Sequence, residues 1–368
     1  MDHKVCHITT VHSQKDVRIF YKECCSLSKS GYNVTLLVAN GKSELCNEVQ
    51  IIGVFIPVNS RLERIRKTSK ALYKEATAIN ASIYHFHDPE FLPLALKLKR
   101  QGKKVIYDVH EDVPRQILAK FWIPKLLRKL TSIVFEKYEN YVASRLTGII
   151  AATPFIRDRF FKVNRRTIDI NNYPIIKEYN PNFHTRDKER AVCYVGGLDE
   201  NRGISTIINA VNKTDVRLNL AGVYDPASYK LDLGKLNGWK NVIEHGFVGP
   251  TEVREILRRS IAGLVTLKPL VNYLDSLPVK MFEYMEAGIP IIASNFPYWR
   301  SILEEYNCGI CVDPQNEEEI RSVILEMVNN PEKSEKMGRN GRVAIEQKYN
   351  WRIEEAKLLS FYDKIVNA

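Results

Sequence analysis

The 368-residue sequence lacks any run of about 18 apolar residues, the length that a transmembrane helix requires. Its first residues, MDHKVCHITT, also lack the basic, apolar and small-residue regions of a secretory signal peptide. The seven cysteines form no regular framework. We therefore expect a cytosolic protein with reduced thiols that binds at most to a membrane surface.

Several chemical motifs are missing as well. Cys308 and Cys311 form a single CxxC pair in a short apolar run without a second pair or a nearby histidine, so two strand residues at a turn are favoured over a zinc or redox site. No Asp-x-Asp pair is present to hold a magnesium diphosphate. The sequence also contains no RNP, KH, zinc-finger or helix-turn-helix pattern, and nucleic acid is therefore not a predicted partner.

The charge of the chain is distributed unevenly. Residues 1–180 contain 30 Lys and Arg against 17 Asp and Glu, whereas residues 181–368 contain 24 against 26. The excess of basic residues therefore belongs to the first half alone. This asymmetry predicts an anionic partner for the N-terminal half, such as an anionic membrane or a lipid carrier.

Apolar strand-like runs alternate with helical segments along both halves of the chain. This alternation predicts two doubly wound α/β domains with parallel sheets. A charged, proline-containing stretch separates them and is interpreted as a linker. We expect a first domain over 1–173, the linker over 174–189, a second domain over 190–349, and a C-terminal helix over 350–368 that packs back across the junction.

The segment from Asp275 to Pro290, DSLPVKMFEYMEAGIP, has the features of a phosphate-binding helix. Pro278 suits the first turn, Ser276 offers a hydroxyl that can cap it, and free N–H groups at a helix start attract phosphate. Lys280 adds a cation, and Glu283 lies three residues later on roughly the same face. An ordinary crossover helix with an ion pair explains the spacing equally well.

A glycine-rich turn stands at the start of the second half. In YVGGLDENRGIS, Gly196 and Gly197 follow a predicted strand, and Arg202 lies at the entrance to the next helix. Two adjacent glycines let the backbone approach a ligand, and the planar guanidinium suits a diphosphate. Such a turn is a weak signal alone because most of them simply end a strand.

Polar residues also follow two strands of the first half. HFHDPE and DVHED place His87, Asp88, His110 and Glu111 at strand ends. Imidazoles and carboxylates can bind a metal, but this spacing matches no zinc signature. We therefore expect histidines that donate to a substrate hydroxyl or phosphate.

The segment Arg115–Lys129, RQILAKFWIPKLLRK, mixes large apolar residues with basic ones. Such a composition suits the surface of an anionic bilayer. A surface helix that packs its apolar residues on its own domain is the alternative, and Pro124 breaks any long helix here.

Together these segments resemble the family-4 retaining glycosyltransferases of the bacterial surface-polysaccharide type. The resemblance extends along nearly the whole chain and is carried by DVRIFYKECCSLSKSGYNVTLL, HFHDPEFLPLAL, KKVIYDVHED, YVGGLDENRGISTIINA and LPVKMFEYMEAGIPIIAS. It implies the GT-B fold, with two Rossmann-like domains that face a central cleft. It also implies transfer of a hexose-type sugar from a nucleotide-sugar, with retained configuration and without a metal or other cofactor.

The resemblance assigns the donor site to the second domain. Arg202 and Lys280 are expected to stabilise the diphosphate, and Glu283 to bind the ribose. The family motif has two glutamates separated by seven residues, and this chain has Asp275 in the first position, which contacts the donor sugar in the family. Many members also have arginine where this chain has Gly197. The remaining expected donor residues are Gly196, Gly197, Phe247, Val248, Ser276 and Leu277.

The first domain is expected to bind a glycan or polyprenyl-linked acceptor. The resemblance places His110 near the transferred sugar, and the expected acceptor-binding residues are Asp16, Arg18, His87, Asp88 and Glu111. A UDP-sugar is favoured over GDP-mannose from the frequency of donors in the family. A nucleotide-sugar epimerase on the same double-Rossmann frame and a non-enzymatic protein that binds anionic ligands remain as alternatives.

Overall fold

The computed structural model describes residues 3–57, 61–120, 123–176 and 188–367. The chain divides into two compact units, one formed by Met1–Asn172 with Trp351–Ala368 and the other by Tyr173–Asn350. The predicted linker over 174–189 lies largely outside the described residues. The second unit ends one residue beyond the predicted end of its domain at 349.

The first unit is built on an eight-stranded sheet. Its strands are β1 (Lys4–Thr9), β2 (Asn33–Ala39), β3 (Glu44–Cys46), β4 (Val49–Val54), β5 (Ile83–Phe86), β6 (Lys104–Val109), β7 (Gly148–Ala151) and β8 (Thr167–Asp169). They lie in the order β3-β4-β2-β1-β5-β6-β7-β8. Only β3 is antiparallel to its neighbour within this sheet. The parallel sheet is therefore as predicted, and the short strands β3 and β8 are additions to it.

Helices cover both faces of this sheet. They are a π-helical segment (Val17–Cys24) that continues into α1 (Cys25–Lys29), then α2 (Arg61–Ile79), α3 (Leu92–Arg100), α4 (Val113–Ala119), α5 (Lys125–Ala143) and α6 (Pro154–Phe161). Successive residues of β6 show why both faces are covered. Val105 and Tyr107 join one apolar cluster, while Ile106 between them joins another, because alternate side chains of a strand point to opposite faces.

The second unit repeats this plan with six parallel strands. They are β9 (Ala191–Val195), β10 (Arg217–Ala221), β11 (Val242–Gly246), β12 (Ala262–Val265), β13 (Ile291–Ser294) and β14 (Gly309–Val312), in the order β11-β10-β9-β12-β13-β14. The helices are α7 (Ile204–Val211), α8 (Tyr229–Leu233), α9 (Pro250–Arg259), α10 (Val271–Leu274), α11 (Val279–Glu286), α12 (Pro297–Tyr306), α13 (Glu317–Asn329) and α14 (Pro331–Gln347).

The C-terminal helix α15 (Trp351–Val366) belongs to the first unit. The Trp351 indole donates to the Ser26 hydroxyl over 3.0 Å, and the backbone N–H of Asn171 donates to the Glu354 carboxylate over 2.7 Å. The Tyr362 hydroxyl lies 2.8 Å from Nδ1 of His85 in β5. These buried polar contacts fix α15 on the N-terminal sheet.

Strand order identifies where ligands bind in such sheets. In the first unit the chain passes from β1 to one side of the sheet and later returns to the other side at β5, and in the second unit β9 and β12 are related in the same way. Ligands of doubly wound sheets bind at the carboxyl ends of strands beside this switch point. Ligand-binding residues are therefore expected in the loops after β1, β5, β9 and β12.

No helix within the described ranges combines the length and the apolar content needed to cross a bilayer.

Candidate functional site

The glycine turn after β9 is contacted by two cationic side chains. A Cβ atom added to Gly196 would lie 2.9 Å from Nζ of Lys280, and one added to Gly197 would lie 3.4 Å from Nε of Arg202. Gly196 also has a φ of 137°, which side chains rarely permit. The structure thus brings together the glycine turn and the α11 segment, which are distant in sequence.

Lys280 is the most unusual residue of this group. Its side chain is only 8% exposed, and Nζ has no hydrogen-bond partner among the described residues. The ammonium lies 3.7 Å from the centre of the Tyr194 ring. Burial, and then the charge of Arg202, lower the pKa of Lys280 well below its usual value. An anion placed at the glycine turn would supply the acceptor that this ammonium lacks.

Arg202 is held in place by local contacts. Its Nε donates to the Asp199 carboxylate over 2.8 Å, and this carboxylate also accepts from the backbone N–H of Asn201. The next residue, Gly203, has a φ of 70°, and a Cβ there would lie 2.3 Å from the Thr266 carbonyl oxygen. Only glycine therefore permits this close approach to the loop after β12.

The start of α11 differs from the sequence prediction. Pro278 is the residue before the first helical turn, with an extended ψ of 119°, and the helix begins at Val279. Ser276 does not cap it, because its hydroxyl donates to the Tyr273 carbonyl over 2.9 Å. The Trp299 indole donates to the Ser276 carbonyl over 2.7 Å and so fixes the loop before the helix.

The other predicted donor residues lie on this loop, on α11 and after β11. Asp275 and Glu283 are exposed, whereas Ser276 and Leu277 are half-buried. Phe247 is 84% exposed and Val248 is half-buried at the end of β11. The loops after β9, β10 and β11 are joined by backbone hydrogen bonds from Gly196 to Ala221 and from Gly222 to Gly246. The Phe247 ring therefore lies at the same edge of the sheet as the glycine turn.

In the first unit, Arg18 lies in the interior rather than at a surface open to an acceptor. It is 4% exposed, and its guanidinium donates to both carboxylate oxygens of Asp108 over 2.9 and 2.8 Å. It also donates to the Ile170 carbonyl and lies 3.1 Å from Glu23. Arg18 thus acts on the site through Asp108, whose pKa it holds well below the usual value against the effect of burial.

Asp108 in turn orients two histidines. Nε2 of His110 lies 2.9 Å and Nδ1 of His87 3.2 Å from the same carboxylate oxygen. His87 is buried, and burial lowers its pKa to about 4. His110 is partly exposed, so its other ring nitrogen, Nδ1, is the one available to a substrate.

The remaining predicted acceptor residues surround these histidines. Asp16 caps the π-helical segment by accepting from the Arg18 and Ile19 amides. Asp88 is buried and accepts from the Thr9 hydroxyl and the Thr10 amide. Glu111 is exposed and accepts a hydrogen bond from Gln116.

Sequence reasoning missed His12, which follows β1. Its ring lies 4.9 Å from the ring of His110, and its nitrogens lie 3.7 Å from Asp16 and 3.5 Å from Asp88. Burial alone would lower the pKa of His12, but the nearby carboxylates of Asp16 and Asp88 outweigh burial and raise it. Its position just after a strand, like that of His87 and His110, was the signal that could have identified it.

Two groups of the described residues have the composition of a metal site: His7, Glu23, His85 and His87, and His87, Asp108 and His110. In the first group the His85 and His87 rings are stacked with 22° between their planes and 4.7 Å between centroids. One ion cannot easily lie in two nearly parallel ring planes. In the second group Asp108 already binds Arg18, whose charge would repel a metal cation. The residues fit a hydrogen-bonded network better than a metal.

Comparison with protein families gives two matches that together span most of the chain. Residues 17–170 match the model described as Glycosyltransferase Family 4, and residues 176–344 match the model described as Glycosyl transferases group 1. The boundary between the two matches falls close to the boundary between the structural units.

Individual relatives agree with these matches. Spore coat protein SA of Bacillus subtilis is 32% identical over 290 residues, which cover 66% of this chain and 76% of that protein. The MMP alpha-(1->4)-mannosyltransferase of Mycolicibacterium hassiacum is 21% identical over 296 residues, which cover 76% of this chain and 70% of that protein.

Solved structures show the same fold. Sucrose-phosphate synthase from Thermosynechococcus elongatus superimposes with a TM-score of 0.81 at 17% identity, covering 99% of both chains. Anabaena HepE in complex with UDP and glucose gives 0.74 at 12% identity, covering 98% of this chain and 100% of that one. The predicted GT-B fold is confirmed, and the chain belongs to the group 1 glycosyltransferases.

Proposed function

We propose that this glycosyltransferase moves a hexose-type sugar from a nucleotide-sugar to a glycan or polyprenyl-linked glycan, with retention of the anomeric configuration. The observation that carries the proposal is Lys280, a buried side chain that faces the Gly196 turn and whose Nζ has no hydrogen-bond acceptor within the described part of the chain. A diphosphate at this turn would accept from Lys280 and Arg202 together.

The same geometry supplies a catalytic effect. Cleavage of the bond between sugar and phosphate leaves negative charge on the departing diphosphate. Cations that are already oriented by burial and by Asp199 stabilise that charge without reorganisation. Glu283 on α11 would bind the ribose, and Asp275 would contact the donor sugar. Under this proposal no metal is required.

The choice of donor is supported by similarity. Anabaena HepE binds UDP with glucose, and another structure of it contains UDP-glucose. We propose a UDP-sugar in preference to GDP-mannose, with the exposed Phe247 ring and Val248 beside the base.

In the first unit, the side chains that are exposed or partly exposed are proposed to contact the acceptor: His12, Asp16, His110 and Glu111. The buried residues Arg18, His87 and Asp88 would hold these side chains in position. We place the enzyme in surface polysaccharide synthesis at the cytoplasmic face of the membrane, where a polyprenyl-linked acceptor would be met.

A panel of UDP-sugars and GDP-mannose, screened by thermal unfolding, tests the donor. A ligand present at about 100 times its dissociation constant stabilises a protein by about 2.7 kcal/mol. We expect stabilisation by UDP-sugars, and an absence of any shift across the panel contradicts the proposal.

Arg202→Ala and Glu283→Ala test the site. Arg202→Ala should reduce donor turnover by about 10² to 10³, the cost of losing one oriented hydrogen-bond donor in comparable sites. Glu283→Ala should weaken donor binding, because it removes the carboxylate that would accept from the ribose hydroxyls. Arg254→Ala and Glu255→Ala, on the exposed side of α9, are the matched controls. Incubation with donor alone distinguishes an epimerase, because epimerised donor without acceptor would contradict transfer.

A further inference from the structure

Helix α5 exposes an apolar stripe that none of the functions above uses. Seven large apolar side chains are exposed along it, and Leu126 is 94% accessible. Their spacing of three and four residues puts them on one side of the helix. The members of this α5 stripe are Leu126, Leu127, Leu130, Ile133, Val134, Tyr138 and Tyr141.

The opposite side of α5 holds the helix on its unit. Ser132, Val142 and Ala143 are buried, and the Ser132 hydroxyl donates to the Pro114 carbonyl over 2.8 Å. The helix is therefore already packed through a separate face. Contiguous exposed apolar surface of this kind marks an interaction site.

The charges of α5 are sorted between these two sides. Glu139 is buried and pairs with Arg159, and Glu136 accepts from Arg115 over 2.7 Å. Lys125, Lys129 and Lys137 are exposed. Both acids are thus neutralised on the protein side. Lys129 and Lys137 lie three or four residues from members of the stripe and therefore beside it, and Lys125 is exposed at the start of the helix.

We propose that the α5 stripe docks on an anionic lipid bilayer, with its leucines in the headgroup and acyl boundary and its lysines at the phosphates. The tyrosines suit this boundary because they have an apolar ring and a polar tip. Two copies of the stripe packed against each other would bring Lys129 and Lys137 of each copy to the same interface, and this repulsion disfavours a dimer. This inference rests on the proposed function in one respect: a polyprenyl-linked acceptor would explain why the enzyme binds a lipid surface.

The surface differs from the one that the sequence predicted. Segment 115–129 is divided between α4 and the start of α5, and the stripe continues to Tyr141. Phe121 and Trp122 of the predicted surface lie outside the described residues.

Flotation of the full-length protein with vesicles tests the inference. Vesicles of equimolar phosphatidylcholine and phosphatidylglycerol should bind the protein, and vesicles of phosphatidylcholine alone should bind it much more weakly. The double variant Leu126→Gln/Leu130→Gln should lose roughly tenfold in vesicle affinity per leucine. Lys129→Gln/Lys137→Gln should lose about fivefold per lysine. Leu231→Gln, at an exposed leucine of α8, is the matched control and should bind as the wild type does.

Three results would overturn the inference: no flotation of the wild type with anionic vesicles, undiminished flotation of the α5 variants, or a wild-type dimer that Leu126→Gln/Leu130→Gln dissociates. Stabilisation by UDP-glucose without vesicles should be equal in wild type and α5 variants. Because this readout concerns only the second unit, a failure of the donor proposal and a failure of membrane docking are distinguishable.

Discussion

The ammonium of Lys280 lies 3.7 Å from the centre of the Tyr194 ring and has no hydrogen-bond acceptor among the described residues. The face of an aromatic ring attracts a cation, but it replaces only part of the lost hydration. Burial of the Lys280 charge therefore lowers the stability of the free protein, and hydrogen bonds to a bound diphosphate would offset that loss.

Lys280→Met should have opposite effects on stability and on donor binding. Methionine keeps the length of the side chain and removes the buried charge, so the free energy of unfolding of the free protein should rise by roughly 1 to 3 kcal/mol. Stabilisation by UDP-glucose should be lost. Urea unfolding with and without ligand measures both quantities. Lys188→Met is the control. The Lys188 ammonium donates to the Ser260 carbonyl, away from the glycine turn, so replacing Lys188 should not affect donor binding. A Lys280→Met protein that still responds to UDP-glucose contradicts the assignment.

Donor binding should be accompanied by proton uptake. The pKa of Lys280 is lowered in the free protein, chiefly by burial, and a bound diphosphate would raise it again. Between these two pKa values the lysine gains a proton on binding, and affinity for UDP falls as pH rises through that range. Calorimetric titration with UDP in buffers of different ionisation enthalpy detects the uptake. Binding of UDP to the wild type without proton uptake in this pH range would contradict the prediction.

Alanine at the two glycines of the turn should separate folding from binding. Gly196→Ala forces a side chain into a φ of 137° and within 2.9 Å of Lys280, and should destabilise the protein by about 1 to 3 kcal/mol. Gly197→Ala makes only an ordinary contact with Arg202, so it should fold normally and weaken UDP-glucose binding if the turn approaches the diphosphate. Gly234→Ala, whose Cβ would lie 3.5 Å from its nearest neighbour, is the control. Normal binding by Gly197→Ala would mean that the ligand lies farther from the turn.

His12→Gln should destabilise the protein in a pH-dependent manner. The pKa of His12 is raised in the folded state by Asp16 and Asp88 in spite of burial. Its stabilising effect is therefore complete below the unfolded pKa of 6.5 and is lost as pH rises through the folded value. The loss of unfolding free energy caused by His12→Gln should be larger at about pH 6 than at about pH 9. His3→Gln serves as the control, and a loss independent of pH would show that the contacts of His12 do not depend on its charge.

Local pattern was enough to predict the α/β alternation and the parallel sheets, and it singled out the glycine turn and the α11 segment, which the fold brings together. Strand and helix signals are local, and glycines at a strand end constrain the backbone wherever they occur. The sequence also identified His110 and Asp88 at strand ends, because parallel strands bring their carboxyl ends to one edge.

Burial and orientation were decided only by tertiary packing. The sequence placed Arg18 at the acceptor, yet the fold buries it against Asp108, because the π-helical segment after β1 packs beside the end of β6 and brings together residues that are 90 positions apart. Likewise, the apolar spacing of α5 is the same for a helix that faces a core and for one that faces outward. Only the burial of Ser132 against Pro114 of α4 and of Val142 in the apolar core shows that the leucine side is exposed. The sequence by itself thus determined which residues form the helices, the strands and the glycine turn. The tertiary structure decided which charged groups are buried and which apolar helix face stays exposed, because burial depends on contacts between segments that are distant in sequence.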